Sequence, residues 1–105
     1  MDIKEIIKWF NDNKIEDLEI ARKFVMVSEP SLDCDIGELI RDNDMRMNTI
    51  SMFLYYYQLL EINILNYKKY SKASAYDKET LDIIYEQITY NIEEYKNIID
   101  KIKEL

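Results

Sequence analysis

The sequence predicts an all-α protein, a small helical bundle of four to five helices with a long antiparallel C-terminal helical hairpin. The chain of 105 residues has only one Gly and one Pro, whereas sheet-rich folds need many turns built from such residues. Several segments repeat apolar residues at helical spacing, and polar residues with capping-box spacing precede them. The length fits a single helical domain, residues 1–105.

Two helices are expected before the only proline. The first, residues 3–11, follows a capping box that begins at Asp2. The second, residues 14–28, follows a similar box that begins at Asn13, and the conformational restriction before Pro30 ends it. The predicted buried faces are Ile3, Ile6, Ile7 and Phe10 in the first helix, and Ile15, Leu18, Ala21 and Val25 in the second.

The segment 36–70 has helical character throughout. As one helix it would be ~53 Å long at 1.5 Å per residue, but a compact chain of this size has a radius of gyration of only ~13 Å. Residues 42–44 (Asp-Asn-Asp) form its weakest helical stretch. We therefore expect two helices, 36–43 and 46–70.

The last predicted helix, residues 77–105, has the clearest pattern. Its apolar seam alternates steps of four and three, which is the heptad spacing of packed helices. This seam predicts an antiparallel hairpin with residues 46–70, whose predicted buried face is Ile50, Phe53, Leu54, Tyr57, Leu60 and Ile64. It could also pair between two chains, and spare apolar faces on heptad helices favour a homodimer. The seam residues are Leu81, Tyr85, Ile88, Ile92, Tyr95, Ile99 and Ile102.

Composition argues against several classes of function. The chain has no histidine, and Cys34 is its only cysteine, so histidine-based catalysis and thiolate zinc sites are excluded. We expect no cofactor, no metal and no enzymatic activity. The net charge of −7 makes nucleic acid an unfavourable partner, because DNA binders must neutralise phosphates. The longest apolar-rich run, 53–65, is shorter than the ~20 residues of a membrane span, and the first ten residues do not resemble a signal peptide. These features predict a cytoplasmic protein without a membrane contact.

One alternative is a helix-turn-helix DNA-binding regulator using residues 36–60. Its first helix would be 36–43, and its recognition helix would start at Met47. A kinked core helix explains the same segment, because the expected turn lacks glycine and the second helix is strongly apolar after Met52. The side chains suited to DNA contact are Arg41, Arg46, Asn48, Thr49 and Ser51.

Nine tyrosines are unusual in a chain of this length. Tyr56, Tyr67 and Tyr70 follow one helical face, whereas Tyr55 and Gln58 follow another. Tyrosine is enriched in protein-binding patches, so the first group is a candidate binding ridge. Packing of a central helix against neighbours on two sides is the alternative explanation.

An acidic stripe in the last helix is the best functional candidate. Glu79, Asp82, Glu86 and Glu93 lie opposite the apolar seam, either as a solvated face or as a docking site for a basic protein surface. The sequence therefore predicts a non-enzymatic protein–protein interaction module. Residues with AT-rich codons, such as Ile, Lys, Asn and Tyr, are frequent, which favours a phage or mobile-element inhibitor or adaptor.

Overall fold

The computed structural model describes residues 2–25, 36–72 and 78–104, and these segments form three helices. They are α1 (Ile3–Val25), α2 (Ile36–Ser71) and α3 (Lys78–Glu104). The described residues contain no strand, so the predicted all-α class is confirmed, while the expected count of four to five helices is wrong. Residues 26–35, which include Pro30 and Cys34, lie outside the described residues.

The two predicted N-terminal helices form one continuous helix, α1. The Asp2 carboxylate accepts the backbone N–H of Glu5 at 2.8 Å, which confirms the predicted N-cap. The second predicted cap is wrong, because Asn13 lies inside the helix. Its Nδ2 donates to the carbonyl of Trp9 one turn earlier, at 2.8 Å, so the side chain bonds within the helix instead of starting a new one.

Helix α2 is also unbroken, so the predicted division into 36–43 and 46–70 is wrong. Compactness did not limit its length, because the molecule is elongated, with extents of 64 × 22 × 18 Å and a radius of gyration of 17.7 Å. Within the weak stretch, Arg46 bridges to Asp42 one turn earlier at 3.0 Å, a pairing that supports helix continuity.

Continuity of α2 also removes the turn that a helix-turn-helix motif requires. Two of the side chains proposed for DNA contact serve the fold instead. Arg46 donates to the carbonyl of Phe24 at 3.0 Å and stacks over the Phe24 ring at 4.9 Å. This bond satisfies a carbonyl in the last turn of α1. Thr49 is buried and donates to the carbonyl of Met45.

The three helices run up, down and up. Phe53 contacts Tyr95, with ring centroids 5.2 Å apart, and Tyr56 contacts Tyr90 at 6.5 Å. The residue numbers of the contact partners increase along α3 as they decrease along α2. The two helices are therefore antiparallel, which confirms the predicted hairpin. Helix α1 lies against both of them and packs Phe10 onto Tyr95 at 5.5 Å.

The core is centred on the α3 seam. Five of the predicted seam residues are buried: Ile88, Ile92, Tyr95, Ile99 and Ile102. Tyr95 is completely buried and touches aromatic rings from both other helices. Each fully buried side chain of this size contributes about 1.5–3 kcal/mol, so the seam is a major source of stability.

The buried face of α1 differs from the prediction at two positions. Ile15 was expected to be buried but is 66% exposed, whereas Asp17 is only 2% exposed. Because α1 is continuous, the face that begins at Phe10 continues through Asp17, Ala21 and Phe24. Steps of seven, four and three keep these residues on one side of the helix, and Ile15 then points outward.

No helix within the described part of the chain is both long and apolar enough to cross a membrane.

Candidate protein-binding surfaces

The predicted acidic stripe lies on the outer face of α3. Glu79, Asp82, Glu86 and Glu93 are all exposed, and they lie opposite the buried seam that contains Tyr95. Substitutions in the stripe therefore leave the core side chains in place. This arrangement suits both a solvated helix face and a docking surface.

The predicted tyrosine ridge is not one exposed surface. Tyr56 and Tyr67 are half-buried and pack against the core, while Tyr70 is 37% exposed. Tyr56 also contacts Tyr90 of α3, and a hydrogen bond with Tyr90, together with burial, raises the pKa of Tyr56. Tyr56 therefore lies at the contact between α2 and α3, and Tyr67 packs against the core, as expected for a central helix.

A different face of α2 is exposed along most of its length. We call it the outer seam. Its members alternate by four and three residues, so they lie on one side of the helix, away from buried Phe53, Leu60 and Ile64. All eight are exposed: Asp44, Asn48, Ser51, Tyr55, Gln58, Ile62, Leu65 and Lys69.

The middle of the outer seam is uncharged, and three of its six residues are large and apolar. Tyr55 is 57% exposed, Ile62 55% and Leu65 66%. Glu61 is the only charged residue among positions 47–67, and it lies beside the seam, where its carboxylate meets Lys14 of α1 at 3.4 Å. In a chain with 33% charged residues, such a stretch is a distinctive surface.

Exposed methionines extend this apolar surface on both sides of the seam. Met45 is 46% exposed, Met47 47% and Met52 51%. A shallow depression lies next to the seam and is lined by Asn48, Ser51, Met52, Tyr55 and Tyr56. Methionine adapts its shape to a partner, so these side chains suit a surface that is covered by another protein.

One buried polar pair links α1 to α3. The Tyr95 hydroxyl donates to the Asp17 carboxylate at 2.8 Å, and the Lys103 ammonium lies 3.8 Å from the other Asp17 oxygen. Burial raises the pKa of Asp17, while the hydrogen bond from Tyr95 and the charge of Lys103 offset part of that rise. Burial and the hydrogen bond to Asp17 raise the pKa of Tyr95 far above its usual range. Because Asp17 and Tyr95 are enclosed, the pair joins helices and does not face a cleft.

Sequence reasoning placed Tyr55 and Gln58 on a separate face but did not identify the whole outer seam. The signal was available as the four–three spacing from Asp44 to Lys69 and the scarcity of charge between them. The predicted helix 46–70 already contained seven of the eight seam residues, but the polar Asn48, Ser51 and Gln58 among them kept the seam from standing out as an apolar face. Within the described residues, no cluster of three or more His, Cys, Asp or Glu side chains could hold a metal ion.

The chain matches no protein-family model, no curated protein and no solved structure.

Proposed function

We propose that this chain is a protein-interaction module that binds a protein partner through the outer seam of α2. The observation that carries the proposal is the exposure of Tyr55, Ile62 and Leu65 along the uncharged middle of the outer seam, on the side of α2 opposite its buried residues. A helix that is apolar on all sides is normally buried on all sides.

Three physical features support a protein as the occupant of the seam. Exposed apolar patches on monomeric proteins often mark interaction surfaces. The cores of protein interfaces are depleted in charged residues and enriched in Tyr and Met. The stretch of α2 around Tyr55 and Met52 has the same composition. The surface is also elongated, since the step from Asp44 to Lys69 covers ~38 Å of helix, which suits another helix better than a small molecule.

A site-specific photocrosslinker tests this proposal in cells that naturally express the chain. Placed at Tyr55 in the outer seam, it should yield a discrete crosslinked protein adduct. Placed at exposed Asp12, on the outward side of α1, it should yield little. Equal and diffuse labelling from both positions would show that the seam has no specific protein partner.

A second candidate surface is the acidic stripe of α3, which we propose docks on a basic protein surface. Its support is the exposure of Glu79, Asp82, Glu86 and Glu93 on one face, together with the net charge of −7. Such docking is steered electrostatically and weakens as salt increases. An inhibitor or adaptor from a phage or mobile element is the class of protein that this proposal and the codon composition favour.

A charge-reversal experiment separates the stripe from general acidity. The triple variant Glu79→Lys, Asp82→Lys, Glu86→Lys should keep its helical spectrum but lose salt-sensitive binding to a captured partner. The matched control, Asp12→Lys, Glu16→Lys, Glu19→Lys, changes the net charge equally on exposed positions of α1. If both variants lose binding equally, overall charge and not the stripe is responsible. If neither does, the stripe is a solvated face.

A further inference from the structure

Tyr55, Tyr56 and Tyr90 form a group of contacting rings where α2 meets α3, which we call the tyrosine cluster. We infer that the tyrosine cluster binds an arginine side chain of a basic protein partner. The inference rests on the proposal that this chain docks on a basic protein surface. It adds the residue type that the partner contributes and the place where that residue binds.

The part of α3 that a partner can reach excludes its seam. Ile88, Ile92 and Ile99 are at most 3% exposed because they pack against α1 and α2 of the same chain. The predicted pairing of this seam between two chains is therefore not available in this fold. The outer side of α3 remains accessible, and it includes Tyr90.

The rings of the tyrosine cluster touch one another and still face solvent. Tyr55 contacts Tyr56 with ring centroids 5.2 Å apart and an interplanar angle of 76°. Tyr56 contacts Tyr90 of α3 at 6.5 Å and 66°. Tyr55 and Tyr90 are each 57% exposed. Because the face of an aromatic ring attracts a cation, the cluster offers a cation aromatic surface from two helices.

The cations of the chain itself lie away from the tyrosine cluster. No Lys or Arg occurs between Arg46 and Lys68 in α2, or between Lys78 and Lys96 in α3. Within the described residues, cation–π contacts form on other rings, which are those of Trp9, Phe10, Phe24 and Tyr70. A cation that binds the cluster therefore comes from another molecule.

Negative charge lies beside the tyrosine cluster on α3. Three acids are three or four residues from Tyr90 and so neighbour it on the helix surface: Glu86, Glu93 and Glu94. A hydrogen bond with Tyr90 and burial raise the pKa of Tyr56, and the negative charge of Glu94 adds to that rise. No salt bridge among the described residues involves Glu94. These carboxylates attract a cationic ligand and disfavour an anionic one.

The depression beside the cluster favours arginine over lysine. Its lining combines the rings of Tyr55 and Tyr56 and the thioether of Met52 with the polar side chains of Asn48 and Ser51. The oxygens of Asn48 and Ser51 accept hydrogen bonds. A guanidinium stacks on an aromatic face and donates from five N–H groups in its own plane, whereas an ammonium is a compact and more strongly hydrated charge. The mixture of rings and acceptors therefore matches a guanidinium.

A peptide titration followed by nuclear magnetic resonance tests the inference on the full, isotope-labelled chain. The probe is a short Gly/Ser peptide with two arginines, and a second peptide carries lysines at the same positions. The arginine peptide should shift the ring signals of Tyr55 and Tyr90 saturably, and those of exposed Tyr70 much less. It should also bind more tightly than the lysine peptide.

Substitutions separate the aromatic faces from general acidity. Tyr55→Leu and Tyr90→Leu each remove a ring but keep an apolar side chain, and each should raise the dissociation constant of the arginine peptide by ~2- to 30-fold. Tyr90→Phe keeps the ring and should bind like the wild type. Glu94→Gln should weaken binding more than Asp12→Asn, which removes the same charge from an exposed position of α1. Circular dichroism checks that every variant is folded.

Two results would overturn the inference. One is equal affinity of the arginine peptide for the wild type and for both folded leucine variants. The other is equal affinity of the wild type for the arginine and lysine peptides, because diffuse acidity alone explains that result.

The charge-reversal experiment on the acidic stripe distinguishes this failure from failure of the proposed function. A chain that does not bind the arginine peptide at the cluster, but loses its captured partner on reversal of the stripe, retains the proposed function and loses only the arginine site. A chain that shows neither effect loses both.

Discussion

The buried pair of Asp17 and Tyr95 gives the most direct test of how the bundle is held together. Tyr95→Phe removes the hydroxyl that donates to Asp17 at 2.8 Å but keeps the ring contacts with Phe10 and Phe53. A hydrogen bond to a charged group is worth about 1.5–3 kcal/mol. We expect the free energy of unfolding at neutral pH to fall by that amount, which is large against a total of ~5–15 kcal/mol.

The pKa of Asp17 predicts how this effect depends on pH. Because burial raises that pKa above its usual value of 3.8, the folded state binds the proton more tightly than the unfolded chain does. The contribution of this carboxyl to stability is therefore fully present below pH 3.8 and is lost as the pH rises through the raised pKa. Asp17→Asn cannot ionise and keeps an oxygen to accept from Tyr95. It should be more stable than the wild type at neutral pH, and its advantage should shrink on acidification.

Urea unfolding curves of the wild type and both variants, from neutral pH to below 3.8, measure these effects. The cost of Tyr95→Phe should be larger at pH values above the raised pKa of Asp17, where an ionised carboxylate loses its donor, than in acid. The reasoning is refuted if Tyr95→Phe unfolds like the wild type at neutral pH. It is also refuted if Asp17→Asn is strongly destabilised there.

Other predictions concern the core, the helix content and the alternative function. Ile92→Asp places a charge in the α3 seam and should leave the chain largely unfolded. The exposed control Gln87→Asp should melt like the wild type. Equal melting temperatures for the two variants would show that the seam is wrongly placed. Asn91→Leu should raise the free energy of unfolding by about 1–3 kcal/mol, measured by urea titration, because Nδ2 of buried Asn91 has no hydrogen-bond partner among the described residues. Far-ultraviolet circular dichroism should be dominated by helix, and a strand content above about a fifth would contradict the fold. Fluorescence anisotropy with mixed duplex DNA should show no binding at moderate salt, and tight, sequence-selective binding would favour the DNA-binding alternative.

Local sequence patterns were sufficient to predict the all-α class and the buried face of α3, which is the most regular helix. The seam of α3, from Ile88 to Ile102, was predicted by spacing alone, because one face carries nearly all of its large apolar residues. The N-cap at Asp2 was also predicted, since capping depends on a side chain and a backbone N–H three residues apart. The exposure of the acidic stripe follows from the position of the same seam.

Helix continuity was not predictable from the same information. Asn13 and the stretch 42–44 have weak intrinsic helical preference, and that preference favoured breaks. Tertiary contacts overrode it. Tyr95 accommodates Asp17 in the core by a hydrogen bond, and Arg46 holds the last turn of α1 against α2.

The sequence by itself thus determined the helical class, the position of the α3 seam and the outward position of the acidic stripe, because each depends on residues within a few turns of one helix. The pattern of residues 46–70 also placed Phe53, Leu60 and Ile64 on the buried face of α2, but only the tertiary structure decided that the opposite face stays uncovered. That helix carries apolar residues on several sides, including Phe53 and Ile62 on opposite faces, so its pattern alone does not show whether one face or both are covered. Packing against α1 and α3 covers the face with Phe53 and leaves the outer seam exposed, and it is this choice that creates the candidate binding surface.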